Sequence, residues 1–309
     1  MRVLLGQVAI AAGDQAANVA TVVEALDAYP DADLAVFPEM TLPGYDTTAL
    51  DRDALTIAAD AGLRDAEPAP GDGARAPGDG TGPPGEGTGP PGEGTGPPGE
   101  GTWPLPTELA AIAQAAARCS TAVVVGFAER AADGTFRNSV ACLDERGDLA
   151  GVYRKTHLFG DGETSAFVAG EEYVLVTLVG VRVGVQICFD TEFPEPARAM
   201  ALGGAELLVT ASANMAPYEL EHRLGAAARA IENRTPHVYV NRCGHESGFE
   251  FLGDSAAIDA GGRDLLRLGA SPELAVVDVP IGAATVGEVD YLRLLTPPLP
   301  LRDATRTSA

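Results

Sequence analysis

Cys188, Lys155 and Glu39 are the residues of this sequence whose types and positions could combine into a reaction. Each follows a short apolar run of β character: Glu39 after LAVFP, Lys155 after AGVYR, and Cys188 after RVGVQI. In open α/β architectures ligands gather at the carboxyl ends of strands, so three such groups can converge on one crevice. A thiol, a carboxylate and an ammonium brought together offer a nucleophile, a proton acceptor and a positive charge for a developing oxyanion. Lys155 is also the only lysine among 309 residues, every other fixed side-chain cation being arginine. A compact ammonium can sit as a point charge in a tight cavity, which arginine's planar fork cannot.

Each of the three also has a plainer role. Cys188, in GVQICFDTEFPE, can be a small buried hydrophobe, since free cysteine is among the most buried residue types. Glu39 can be a helix-start carboxylate, and Lys155 one more surface lysine. Chemistry at Cys188 is favoured by its corner position. The alternation before it suits a half-buried strand, and the acidic residues and proline of FDTEFPE read as a helix start. The positive end of a helix dipole at that corner would favour the thiolate.

The elements that must position these groups alternate along the chain. RVLLGQVAI reads as a strand, DQAANVATVVEALDAY as an amphipathic helix opened by Asp14, and ADLAVFPE as a second strand. TELAAIAQAAARCS is an alanine-rich helix leading into the strand TAVVVGFAER. FRNSVACLDERGDLAGVYRK is a hairpin turning at 145–148, and YVLVTLVGVRVGVQIC is a strand pair. FPEPARAMALGGA and PYELEHRLGAAARAIENR are helices separated by the strand ELLVTAS, and HVYVNRC, DSAAIDAGGRDLLRLG and ELAVVDVP complete the core. Helices between strands give an α/β class, and the hairpins give mixed sheets.

One stretch breaks the pattern. From about 68 to 102 the chain is almost wholly Pro, Gly, Thr, Asp and Glu, with TGPPGEG three times in succession from Thr81. Glycine does not fall at every third position, which excludes a collagen helix. The expectation is a disordered surface insertion within a single domain spanning 1–285, followed by a C-terminal extension over 286–309. A net charge of −23 argues against nucleic acid and anionic membranes as partners. Cys119, Cys142, Cys188 and Cys243 form no CxxC pair, the short apolar start does not resemble a secretory signal, and no run reaches membrane-spanning length. A cytoplasmic protein with reduced thiols is expected.

FPE (37–39), YRKTHLF (153–159) and VGVQICFDTEFPE (183–195), in this order and spacing, resemble the three signature motifs of the nitrilase, or carbon–nitrogen hydrolase, superfamily. The resemblance runs from VLLGQVA to about Pro280. YRKTHLFGDGETSAF, TASANM, ENRTPHVYVNRCG and FLGDS are most similar to the branch typified by R-stereoselective amidases. The resemblance implies an αββα sandwich of mixed sheets flanked by helices, and a Glu–Lys–Cys triad of Glu39, Lys155 and Cys188. A second glutamate eight residues beyond the lysine in related amidases matches Glu163, which would position Lys155 or orient substrate and water. A solvated loop carboxylate beside Asp161 is its plainer alternative. Lys155 and the backbone amide of Phe189 would hold the oxyanion. Asn214, in TASANM, and Tyr45, in LPGY, are substrate-pocket candidates, although Tyr45 can equally serve packing alone.

The reaction implied is hydrolysis of a small carboxamide to acid and ammonia through a thioester. Nitriles and N-carbamoyl compounds are alternative substrates on the same fold. A non-catalytic binding member would be marked by a lost triad, and here all three residues are intact. Neither cofactor nor metal is implied. The helices FPEPARAMALG and PYELEHRLGAAARAIENR are expected to pair subunits in a homodimer or higher homo-oligomer.

Other chemistries find less support. A Cys–His protease needs a histidine base, and of His157, His222, His237 and His245 the first lies inside the lysine motif, where a structural hydrogen bond suits it better. Zinc at Cys243 and His245 lacks a second ligand pair at a typical spacing. No glycine-rich phosphate loop follows a strand.

Overall fold

A computed structural model describes residues 1–57, 105–282 and 291–296. The expected Gly/Pro-rich insertion and most of the expected C-terminal extension lie outside the described residues.

The first series of elements is β1 (Arg2–Gln7), α1 (Gln15–Ala28), β2 (Leu34–Val36), α2 (Leu50–Asp53), α3 (Thr107–Cys119), β3 (Ala122–Arg130), β4 (Phe136–Leu143), β5 (Leu149–Arg154) and α4 (Gly160–Ala166). The second is β6 (Leu175–Leu178), β7 (Val181–Ile187), α5 (Pro194–Leu202), β8 (Leu207–Ser212), α6 (Glu219–Asn233), β9 (His237–Asn241), β10 (Cys243–Glu246), β11 (Phe249–Leu252), β12 (Ala256–Ile258), β13 (Asp264–Arg267) and β14 (Glu273–Asp278). Local chemistry sets the boundaries. Asp14 caps α1 by accepting from the Ala17 amide at 3.0 Å, satisfying one of the helix's orphan donors. The β4–β5 turn closes on Asp144, whose carboxylate accepts from the amides of Arg146 and Asp148.

Two six-stranded sheets result, in the orders β14-β1-β2-β3-β4-β5 and β13-β12-β9-β8-β7-β6. Each has three parallel central strands joined through helices, and antiparallel strands at its edges. The inner faces pack together through residues such as Val36, Val124 and Val140 on one side and Val185, Val209 and Val238 on the other. On the outer faces, α1 and α3 cover the first sheet, while α5 and α6 cover the second. The architecture is therefore the expected αββα sandwich.

Direction explains why the site forms at one end. β5 runs antiparallel to β4, and β4 antiparallel to β3, so β5 points the same way as β2. Residues just beyond β2 and β5 thus emerge at the same edge, as does the beginning of β4.

Three features depart from the sequence reading. GDGETSA, read as a loop, forms α4. CGHE and FEFL pair as the hairpin β10–β11, which glycines and charged residues hid from any period-two pattern. Residues Cys188–Glu192 form a 3₁₀ turn, and the α-helix begins only at Pro194, whose ring suits the first helical turn. Among the described residues no helix is long and apolar enough to cross a membrane. All four cysteines are free.

Candidate active site

Glu39 lies beyond the end of β2 and is fully buried. Its approach requires a glycine on the neighbouring strand. A Cβ on Gly126 of β3 would stand 2.4 Å from the Pro38 carbonyl oxygen, 2.5 Å from the Met40 nitrogen and 2.7 Å from the Glu39 Cα. All three are backbone atoms that cannot swing aside. Gly126→Ala is expected to lower stability by about 1–3 kcal/mol through overpacking. Because a misplacement of about 1 Å can reduce catalysis roughly a hundredfold, kcat should fall as well. Thermal unfolding and steady-state kinetics on one preparation check both; unchanged values would show that the Glu39 turn yields freely.

Lys155 leaves β5 with its amide donated to the Asn138 carbonyl at 2.9 Å. Its ammonium, also buried, donates to Glu39 Oε1 at 2.7 Å and to Glu163 Oε1 at 2.8 Å. Glu163 is not the solvated loop carboxylate of the plainer reading. It lies in the first turn of α4 at 2% exposure, with Oε2 accepting from the Phe159 amide at 2.7 Å. Its Oε1 also accepts from the Tyr45 hydroxyl at 2.5 Å and from Asn138 Nδ2 at 3.4 Å. Both of its oxygens are therefore engaged.

Glu39 differs. Asn138 Nδ2 donates to its Oε1 at 2.6 Å beside Lys155, whereas its buried Oε2 has no hydrogen-bond partner. A buried acceptor left unpaired is costly, so this orphan oxygen is suited to hold a proton. Burial pushes the Glu39 carboxyl above its usual range, with Lys155 opposing and Glu163 adding to the rise. Burial works against the Lys155 ammonium, but Glu163 and Glu39 outweigh it and hold the group well above 10.5.

Cys188 opens the turn after β7 with φ +44°, a left-handed backbone that costs a non-glycine residue on the order of 1 kcal/mol. That turn takes the side chain out of the strand's alternation. Ser212 and the Ala213 amide act to draw the thiol pKa downward. The expectation of a dipole-stabilised thiolate is corrected here, because the helix starts too far along the chain. Burial, then the Glu39 charge, pushes the thiol well above its ordinary value, against the pull of Lys155. The resting group is a thiol.

Two further residues complete the support. Asn138, at the start of β4, bridges both glutamates; an asparagine inside a strand-like run was the available signal. Asp190 is buried and ties the exits of β5 and β7 together. It accepts from the Ile187 amide at 3.0 Å, the Tyr153 hydroxyl at 2.7 Å and the His157 amide at 2.9 Å. Sequence reasoning took it for a helix-start acid. The His157 ring also bonds Asp190, at 2.9 Å, and stacks on Phe193.

The crevice over Cys188 holds about 240 Å³ of empty space. Tyr45, Phe159, Phe189 and Tyr218 wall it, with Asn214 alongside. Asn214 gives its amide NH₂ to the Tyr218 carbonyl at 3.0 Å, so that group is committed within the protein. A larger groove of about 1110 Å³ runs past Glu129, Arg137 and Arg154 but contains no nucleophile. Among the described residues no group of three His, Cys, Asp or Glu side chains could hold a metal ion.

The family model described as carbon-nitrogen hydrolase matches residues 2–289. A Pseudomonas protegens protein, "Hydrolase in pqqF 5'region", is 35% identical over 89% of this chain and 81% of its own length. An (R)-stereoselective amidase from a Pseudomonas species is 40% identical over 60% of this chain and 67% of its own length. The amidase of Nesterenkonia sp. AN1 shares the fold with a TM-score of 0.72 at 24% identity, covering 96% of both chains. Nit3 of Saccharomyces cerevisiae does so with a TM-score of 0.71 at 21% identity over 90% of each.

Proposed function

The chain belongs to the carbon–nitrogen hydrolase family, and from that premise we propose that it is a thiol amidase converting small carboxamides to carboxylic acids and ammonia, with Cys188 as nucleophile, Glu39 as general base and acid, and Lys155 as electrostatic catalyst. The observation that carries this reading is the asymmetry of the two buried glutamates. Glu163 has both oxygens engaged and serves to position Lys155, whereas Glu39 keeps Oε2 for a proton.

The cycle follows from that asymmetry. The Cys188 thiol passes its proton to Glu39 Oε2 as sulfur bonds the amide carbon, and the carbonyl electron pair moves onto oxygen. Lys155 and the Phe189 backbone amide stabilise this oxyanion; one such donor is worth about 3 kcal/mol of barrier. Collapse of the tetrahedral adduct breaks the C–N bond, and protonated Glu39 returns the proton to the departing amine, leaving a thioester. Water then attacks the thioester, giving a proton to Glu39, and a second collapse releases the acid. Sulfur finally recovers the proton. A carboxyl raised toward neutrality by burial suits both directions of transfer.

The narrow aromatic crevice supports a small acyl group, and Tyr45 and Asn214 border it. Ammonia release from small amides, nitriles and N-carbamoyl amino acids tests the assignment. Amides should turn over. Release from nitriles or N-carbamoyl compounds but not amides would transfer the assignment to the corresponding hydrolase. We also propose subunit pairing through α5 and α6, which the exposed Leu202, Leu220 and Leu224 support; light scattering at micromolar protein should give at least twice the chain mass.

A further inference from the structure

The β10–β11 hairpin belongs to neither six-stranded sheet, yet it is tied to both. The Cys243 amide donates to the Val8 carbonyl beyond β1 at 3.3 Å, and the Leu252 amide donates to the Asn214 carbonyl beyond β8 at 3.2 Å. β1 runs parallel to β2 and β8 parallel to β7, so the hairpin spans the two sheets at the end where the candidate site lies. It carries groups that the cycle above does not use.

These groups meet on Tyr45. Glu246 Oε1 accepts from the Tyr45 amide at 2.6 Å. Phe249 and Phe251 stand edge-on to the Tyr45 ring, with centroids 6.0 Å and 5.8 Å away. Glu246 Oε2 accepts in turn from Arg242 Nη2, and the Arg242 guanidinium lies over the Phe251 ring, 4.2 Å from its centroid. Gly44 permits the close approach: a Cβ there would stand 2.7 Å from Glu246 Oε1, and its φ of +86° suits glycine.

From Tyr45 to the reacting groups the path consists of hydrogen bonds alone. The Tyr45 hydroxyl donates to Glu163 Oε1 at 2.5 Å, and the same oxygen accepts from Lys155 at 2.8 Å. Burial, followed by the charges of Glu39 and Glu163, holds that hydroxyl well above its ordinary 10, so it keeps the proton it donates. Tyr45 is thus fastened at its backbone by the hairpin and at its tip by the carboxylate that aligns Lys155.

The Arg242–Glu246 pair is a costly way to hold a fold together. Arg242 is 1% exposed, and among the described residues its Nε and Nη1 have no hydrogen-bond partner. An apolar pair of similar volume is often no less stable. What the ion pair supplies, and an apolar pair cannot, is a fixed carboxylate oxygen for the Tyr45 amide.

We propose that Tyr45 is a positioning residue for Lys155, acting through Glu163, and that Arg242 and Glu246 act on the reaction by fixing Tyr45. The proposal rests on reading Lys155 as the electrostatic catalyst.

Lys155 holds the oxyanion only in the transition state, so a misaligned ammonium lowers kcat and kcat/KM together and leaves KM alone. Tyr45→Phe keeps the ring and removes the hydroxyl. It should lower kcat about tenfold for acetamide, propionamide and butyramide alike, with KM changed by less than about twofold. A raised KM that varies with the acyl group would make Tyr45 a substrate contact and overturn the proposal, as would an unchanged kcat. The double substitution Arg242→Met and Glu246→Leu leaves no buried ion unpaired and should also lower kcat about tenfold at constant KM. In a Tyr45→Phe background it should add less than about twofold, and a full tenfold there would overturn the path through Tyr45. Arg242→Met alone, after which Glu246 can take up a proton, serves in the same cycle if the double variant fails to fold. Deuterium exchange at the Tyr45 amide reads the anchor without any turnover. It should quicken about tenfold in the double variant, and an unchanged rate would overturn the proposal while the amidase reading stood. Wild-type protein inert toward every amide would instead defeat the amidase reading while leaving the exchange result intact.

Discussion

Cys188→Ala should be inactive, with amide turnover lost by about a millionfold, the scale on which a covalent nucleophile acts together with its base. No other group in the crevice can replace the sulfur. The lining holds no second thiol, hydroxyl nucleophile or lysine beyond its tyrosines, and the hydroxyl of Ser212 is held against Tyr239. The substitution removes one buried atom and keeps a side chain compatible with the same φ, so the stability change should stay near 1 kcal/mol. Ammonia release and thermal unfolding, measured together, separate loss of chemistry from loss of fold. A folded variant that still hydrolyses amides would remove sulfur from the mechanism.

Lys155→Met should have the second largest effect, and on stability as well as rate. Without the ammonium, Glu39 and Glu163 remain buried side by side with only Asn138 between them. Breaking a buried pair by removing one partner typically costs about 3–5 kcal/mol, because a desolvated charge is left uncompensated. Turnover should fall at least about a thousandfold as the oxyanion loses its cation and Glu39 its alignment. The pH dependence fixes the cause. In the wild type Lys155 is held above its ordinary 10.5, so its contribution is complete below 10.5 and lost as pH rises through the folded value. In the variant the raised Glu39 carboxyl remains without its countercharge. Glu39 stability is then greatest below its ordinary 4.5 and declines as pH climbs through its elevated folded value. The difference in melting temperature from wild type should therefore be widest near neutrality and narrow in acid. A constant difference from pH 4 to pH 8 would argue against a Glu39 carboxyl left without its countercharge. Lys155→Arg should not rescue activity, since the cavity matches a compact ammonium.

What the sequence made legible was position along strands. LAVFP, AGVYR and RVGVQI each end in a side chain of useful chemistry, and parallel running of β2 and β5 brings two of them to one edge. The α/β class with mixed sheets followed equally well from alternating elements, and the αββα sandwich from the family resemblance. What stayed hidden depended on contacts between distant segments. Glu163 is an acid in a polar run until α4 turns it inward onto Lys155. Asn138 and Asp190 carry no periodic signature, and their roles exist only once β4 and the β7 exit meet their partners. The helix start read at FDTEFPE misplaced the dipole by several residues, because propensity marks a helix beginning only to within a turn. The thiol's resting protonation changed with it.

β14 closes the first sheet against β1, with the Met1 amino group reaching the Val279 carbonyl at 3.1 Å. The opening strand thus waits for a partner some 270 positions later, so the barrier to folding includes closing nearly the longest loop the chain can make. A growing polypeptide on the ribosome would carry Cys188, already synthesised, with its sheet of acid–base partners still lacking an edge. The meeting of that sulfur with its acid–base partners should consequently come late, after translation has passed residue 278.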